Sequence, residues 1–242
     1  MLSKTHKAQV LKNLQATDWD IIRELGELDS RVKERDLPRL RIEHHKQGKH
    51  RFYLDFGESY MEGDKQYTYL GVKTLPAIVF AEQQIRALWN QDEDTPRCYS
   101  IDDQVMASAP ISDSCQRCPE SIRGAGACKP KVRLFILPLL KKWRQAMVMS
   151  LSPTSIKPWR EHQLRLHRSG LPPVAVVTTF ELEDLQTEDF RWARVIVGIR
   201  GIASKANLLE ARNAGQSILS LKHRLGAMDF GESGDRKPAE EK

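Results

Sequence analysis

The sequence lacks any apolar run near the roughly 18–20 residues that cross a bilayer as a helix, so no transmembrane helix is expected. Nor is a secretory leader expected: Met1-Leu2-Ser3-Lys4-Thr5-His6-Lys7 has neither an apolar core nor a small-residue cleavage site. The expectation is a cytoplasmic chain. Cysteine is scarce, four in 242 residues, and in an intracellular chain such residues are more often metal ligands or free thiols than disulfides. No Walker A loop, G-x-G-x-x-G, H-E-x-x-H or nucleophile elbow occurs. There is no internal repeat and no long low-complexity segment. Catalysis is left without a recognisable site, and a non-enzymatic protein is expected. Acids that could serve a metal-dependent nuclease stand at Asp102-Asp103, at Asp55 with Glu58, and at Glu181, Glu183 and Asp184. None has an obvious partner set. His44-His45, His162 and His167 are out of ligand register with the cysteines.

What is present is a globular balance: 40% hydrophobic, 29% charged, with a formal net charge of +6. The length suits one large domain or two small ones. The mean charge hides an asymmetry. Arg117 to Arg168 holds twelve Lys and Arg against Glu120 and Glu161, a local net of +10. Asn90 to Ser114 has six acids and one Arg, and Glu181 to Phe190 has five acids and no base. A basic block of that size favours a polyanion, although a solvated basic face is the plainer reading.

Periodicity divides the chain. Residues 1–37 read as a polar helical arm, with Ala8, Leu11 and Leu14, then Ile21, Ile22, Leu25 and Leu28 behind a Thr17 or Asp18 cap. Arg39–His44 and Arg51–Phe56 alternate like half-buried strands around a turn at Gln47-Gly48-Lys49, and Gln66–Val72 reads as a third strand. Leu75–Trp89 is ambiguous between strand and helix. Cys98–Cys128 is loop-rich. Val132–Leu137 and Ala146–Leu151 read as strands. A helix starts at Ser155, with Pro158 in its first turn and Trp159, His162 and Leu166 on one face, and Gly170 stops it. Val174–Phe180 and Phe190–Ile199 read as strands on either side of an acidic turn. Residues 202–228 form an amphipathic helix, and 229–242 a disordered tail. The expected fold is mainly β with flanking helices: an OB-like barrel over 38–201, with an inserted four-cysteine zinc loop at 98–128 and one embedded helix. A mixed α+β sheet is the alternative.

All four cysteines fall in that loop: Cys98, Cys115, Cys118 and Cys128. The spacing Cys115-Gln116-Arg117-Cys118 lets two thiolates reach one ion from a tight turn, and Cys98 and Cys128 can complete a tetrahedral set. Arg117, Arg123, Lys129 and Lys131 would offset the −2 of a tetrathiolate Zn2+ centre. A structural zinc standing in for an apolar core is the leading reading. An iron–sulfur cluster, a redox pair and four free thiols are the rivals.

Cations interleaved with aromatics mark candidate nucleic-acid contacts: Arg39, Arg41, Lys46, Lys49, Arg51, Tyr53, Tyr67 and Tyr69 on the first strands. Lys129, Lys131, Lys141, Lys142, Trp143 and Arg144 follow the cysteines. Cations neutralise phosphates, and aromatic faces stack on unpaired bases. Tyr53 alternates with Phe52 and Phe56 and is the better stacking candidate; core burial is the competing reading for each ring.

The segment with Cys98, Ser100-Ile101-Asp102-Asp103, Cys115-Gln116-Arg117-Cys118-Pro119, Gly124 and Cys128 resembles a Cys-rich loop of phage-associated proteins. It is also similar to the zinc subdomain of phage single-strand-binding, helix-destabilising proteins. Ser152-Pro153-Thr154-Ser155, Trp159 and Val177-Thr178-Thr179 resemble the first group. This resemblance implies an OB-fold with structural zinc, single-stranded DNA or RNA as partner, replication or recombination proteins as further partners, and a bacterial or phage-infected host. The zinc site of that family includes a histidine where this chain offers four cysteines. Its strongly acidic tail is replaced here by five acids among three bases over Asp229–Lys242.

Overall fold

A computed structural model of the chain describes residues 37–45, 47–55, 67–88, 96–121, 128–188 and 190–219. The expectations for the N-terminal arm before Leu37, for Lys46 and Glu58, and for the chain beyond Leu219 lie outside these residues.

The alternation seen in the sequence gives β1 (Arg39–Glu43) and β2 (Arg51–Asp55), paired antiparallel, with β3 (Tyr67–Tyr69) beyond them. Then come β4 (Thr74–Leu88), β5 (Cys98–Ile101), β6 (Gln104–Val105), β7 (Lys129–Pro138), β8 (Met147–Leu151), α1 (Pro153–Arg168), β9 (Val176–Gln186), β10 (Arg191–Ile202) and α2 (Lys205–Leu219). The ten strands form one sheet in the order β10-β9-β4-β7-β8-β1-β2-β3, with β5 beside β4 and β6 beside β5. Only the β1–β8 pair is parallel among the described strands. Leu40, Phe52 and Leu54 from one flank share a core with Phe180 and Val195 from the other. The sheet is therefore curled into a half-barrel. The protein is mainly β and barrel-like, as expected, with a sheet larger than the five strands of a minimal OB barrel.

α1 fills the concave side. It packs on β10, β7 and β8, and Ile156 and Trp159 join the main core. Ser152 is extended and Pro153 opens the first turn, where a missing N–H costs nothing. Trp159, His162 and Leu166 are buried at helical spacing. Arg165, His167 and Arg168 lie in the last turn, where cations favour the helix dipole. Gly170 then turns left-handed at φ +68°, a conformation that costs glycine little. The helix begins at Pro153 rather than Ser155, which places Pro158 inside it. Ser155 is thereby buried, and its Oγ accepts the Val195 N–H at 2.9 Å.

The ambiguous segment is one fifteen-residue strand, β4. Its run Leu75–Val79 is buried throughout because α1 covers one face of the sheet and α2 the other: Ala77 and Val79 join the core under α1, while Ile78 joins Ala203 and Ala211 under α2. Burial on both faces erases the alternation that identifies a strand. Pairing with β7 slips between Val79 and Ala81, leaving Phe80 as a bulge residue. A one-residue insertion reverses which face every later side chain occupies. Glu82 thus meets α1, where its Oε2 accepts Trp159 Nε1–H at 2.9 Å and Gln163 Nε2–H at 2.7 Å. The expected acidic turn is also strand, since β9 continues to Gln186. Across from it, Arg194 Nε donates to Glu183 at 2.7 Å and Arg191 pairs with Asp184.

The half-barrel is latched where the β1–β2 turn meets β9 and β10. His44 Nδ1 accepts the Ala193 N–H at 3.0 Å, and His50 Nδ1 accepts the His45 N–H at 3.0 Å. His50 Nε2 therefore carries the proton, which it donates to Asp184 Oδ1 at 2.9 Å. Gly48 at the turn has φ +74° and lies so close that a Cβ there would run into the Arg191 guanidinium.

Candidate metal centre and basic surface

The far end of β4 builds the floor of a cavity. β4 and β5 pair with Arg86 opposite Ser100 and Leu88 opposite Cys98, so these four side chains share one face of the sheet. The segment from Ile111 to Ser121 crosses above, bringing Cys115, Cys118, Glu120 and Ser121, and Cys128 closes the side just before β7. All four cysteines line this one cavity. Its walls are stitched by the backbone: Cys128 N–H donates to the Glu120 carbonyl at 2.7 Å, and Ser121 N–H to the Cys118 carbonyl at 3.0 Å. Cys115 Sγ–H donates to Ser100 Oγ at 3.2 Å.

Cys128 is buried and the other three are half-buried, all as free thiols. Burial pushes the Cys128 thiol up to about 11; the Arg86 charge acts in the opposite direction, and the three other sulfurs add to the rise. The donors, four sulfurs around one cavity, are those Zn2+ takes in structural sites. As they stand among the described residues, no three His, Cys, Asp or Glu side chains are grouped to hold a metal ion. The cavity also holds two buried polar atoms without a hydrogen-bond partner among the described residues, Arg86 Nη1 and Ser121 Oγ. Sequence reasoning missed both. An arginine twelve residues before Cys98 carries no signal of its own; the β4–β5 register makes it a neighbour. Of the cations expected to offset a tetrathiolate, Arg117 is exposed, and Arg123 lies outside the described residues. Lys129 and Lys131 stand opposite Ala87 and Ile85, on the face turned away from Arg86.

The first-strand cations and rings are engaged with one another. Arg41 Nε donates to Asp55 Oδ2 at 2.6 Å, and Arg51 to Glu43 at 2.8 Å. The Arg51 guanidinium lies 4.1 Å from the Tyr69 ring centre, and Tyr69 O–H donates to Glu43 at 3.0 Å. Tyr53 is 9% exposed and meets Tyr69 edge-on, so its ring face is not offered to a base. Arg39 is half-buried, Lys49 is exposed, and Tyr67 opens β3. In the β7–β8 loop, Lys141 and Lys142 are exposed, and Lys142 Nζ sits 4.6 Å from the ring centre of half-buried Trp143. Arg144 is tied to α2 through Glu210 at 2.7 Å and Asn207 at 2.6 Å. The rest of the basic block emerges on the outer face of α1, where Lys157, Arg160, Arg165 and Arg168 are exposed.

Of the acids considered for a nuclease, Asp55, Asp102, Glu181, Glu183 and Asp184 are held by partners. Asp102 and Asp103 form the two-residue turn between β5 and β6, both with positive φ, the geometry of a tight hairpin. Asp102 also exchanges two hydrogen bonds with the Gln84 backbone, at 2.7 and 2.9 Å. Asp55 holds Arg41, Glu181 accepts from Thr74, and Glu183 and Asp184 hold arginines.

Fold and site together define a half-barrel β protein with a cysteine-lined cavity at one end of its longest strand. No family model, curated protein or solved structure matches the chain. Among the described residues, no helix is long and apolar enough to cross a membrane.

Proposed function

We propose that this protein binds single-stranded nucleic acid, DNA first, with little sequence preference, on an OB-like surface of its half-barrel, and that Cys98, Cys115, Cys118 and Cys128 hold a structural Zn2+. The protein is a non-enzymatic component of phage or mobile-element type, acting beside replication or recombination proteins. The observation that carries the binding reading is the surfacing of the basic block: exposed Lys141 and Lys142 stand just before half-buried Trp143, and the cations of α1 follow on the same stretch of chain. Backbone phosphates reward such a surface through counterion release, and the Trp143 indole, packed on the core, stacks a base once Lys142 moves off its ring. The convergence of all four cysteines on one cavity supports the zinc reading. Bound there, zinc would supply a cross-link between β5, the Ile111–Ser121 segment and the start of β7. Closing the set requires the four thiols to lose their protons and draw inward.

Fluorescence anisotropy with labelled single-stranded and duplex oligonucleotides tests the binding. Preference for the single strand and an affinity that falls steeply with salt are expected. Equal binding to duplex, or indifference to salt, overturns it. Elemental analysis tests the metal: one zinc per chain is expected, and iron in its place, or no metal with four freely titrating thiols, overturns it.

A second reading, an interaction subunit of a larger nucleoprotein complex, is favoured by β10. It is a sheet edge that carries Ile199 and Ile202, the latter 83% exposed. The Ala193 and Val195 N–H groups of this edge are taken by His44 and Ser155, so it is the exposed apolar end of β10 that would recruit a partner. Light scattering across a concentration series separates the two, since a monomer at all concentrations removes self-association through this edge.

A further inference from the structure

The cysteine cavity contains more than sulfur. Arg86 projects from β4 into it, and Ser121 enters from the turn after Cys118. Arg86 Nη1 and Ser121 Oγ are both buried there without a hydrogen-bond partner among the described residues. A buried donor left unpaired is unfavourable, more so on a charged group. Two such atoms in one small cavity favour an acceptor placed inside it. The acidic side chain lining the same space is Glu120, and no hydrogen bond joins it to either atom among the described residues.

We infer that Arg86 and Ser121 are the outer donors of a tetrathiolate metal centre, giving N–H···S and O–H···S hydrogen bonds to the cysteine sulfurs. The inference rests on the zinc reading above and deepens it. Four thiolates around Zn2+ carry a net charge of −2, which is costly in a partly buried site unless cations or donors face it. Arg86 is the cation placed to do so: it lines the cavity with all four cysteines, on the sheet face that also carries Cys98. The Lys129 and Lys131 side chains expected for that task sit on the opposite face of the sheet. Arg86 reaches the cavity through the bulge at Phe80. Without that extra residue, every side chain from Ala81 onward would change face, and Arg86 would leave the cavity. The bulge that brings Glu82 to α1 therefore also brings the counter-charge to the cysteines. Partners outside the first ring of ligands commonly alter metal affinity 10- to 100-fold.

The test uses the full-length protein and three variants. Arg86→Met keeps the length of the side chain and removes donor and charge. Arg86→Lys keeps the charge without the planar fork, and Ser121→Ala removes the hydroxyl. Two readouts are taken, zinc affinity by chelator competition and the energy of the sulfur-to-metal charge-transfer absorption after Co2+ substitution. Arg86→Met should weaken zinc about 10- to 100-fold and shift the charge-transfer band to lower energy, because sulfurs that lose a donor become easier to oxidise. Arg86→Lys should fall between, and Ser121→Ala should shift the band by less. If Arg86→Met does not fold, the band of Arg86→Lys against that of the unaltered chain decides. An unmoved band with unchanged affinity overturns the assignment of Arg86 while leaving the zinc standing. An unaltered chain that binds neither zinc nor Co2+ overturns the metal reading itself.

Discussion

Removing the indole N–H of Trp159 should loosen α1 from the sheet by an amount that can be worked from the contacts. Trp159 is 1% exposed, and its Nε1–H reaches Glu82 Oε2 at 2.9 Å while Gln163 reaches the same oxygen at 2.7 Å. A hydrogen bond to a charged group contributes about 1.5–3 kcal/mol. Trp159→Phe deletes that bond and leaves a small void, for a total cost of about 2–4 kcal/mol. Glu82→Ala strands a buried indole N–H, a penalty of about 1–3 kcal/mol, and frees Gln163 as well. The two losses share one bond, so the double variant should cost about 1.5–3 kcal/mol less than the sum of the singles. Urea unfolding followed by far-ultraviolet circular dichroism is the assay; the chain has five tryptophans, and fluorescence would confuse the altered probe with the transition. Costs that add to within about 0.5 kcal/mol would refute the claim that this carboxylate clamps the helix to the bulged strand.

Burial lowers the His162 imidazole to about 4, with Arg165 assisting; its Nε2 meets Thr178 Oγ1 at 3.3 Å, and its Nδ1 has no partner among the described residues. The folded protein thus favours neutral His162. Stability from this group is complete above about pH 6.5 and declines as pH falls toward 4, by about 3 kcal/mol. His162→Leu should flatten that slope, leaving the smaller decline from His44, which burial and His50 also lower; parallel pH profiles would disprove it. Gly48→Ala should lower the melting temperature by the equivalent of about 1–2 kcal/mol, because alanine resists φ +74°, and it should push Arg191 from Asp184. An unchanged melting curve would show that the latch between the β1–β2 turn and β9 carries no stability. Trp143→Ala should weaken single-strand binding by about 1–3 kcal/mol if the indole stacks. Tyr53→Ala should reduce stability and leave affinity nearly unchanged, since Tyr53 is buried; the reverse pattern in anisotropy titrations would contradict the burial reading.

Elements whose signals are local were legible in the chain before it folds. The β1–β2 hairpin is one, because one face is core and the other is not, so apolar and polar residues alternate around Gly48. Helix α1 is another, from the spacing of Trp159, His162 and Leu166 and Gly170 at its end, although Pro158 placed its start two residues late. The grouping of four cysteines in one loop-rich stretch is equally plain, and it marks the cavity. Everything that depends on register between distant strands came from the fold. Burial by a helix on each face hid β4 as a strand, and the Phe80 bulge set which of its residues face α1 and the cysteines. The acids of β9 look like a solvated turn until Arg191 and Arg194 arrive from β10 and His50 from the β1–β2 turn. Arg86 becomes a neighbour of the cysteines only through pairing with Ser100. The physical reason is one of range: propensity and periodicity act over a few residues, whereas ion pairing, face parity and cavity formation are set by which strands lie side by side.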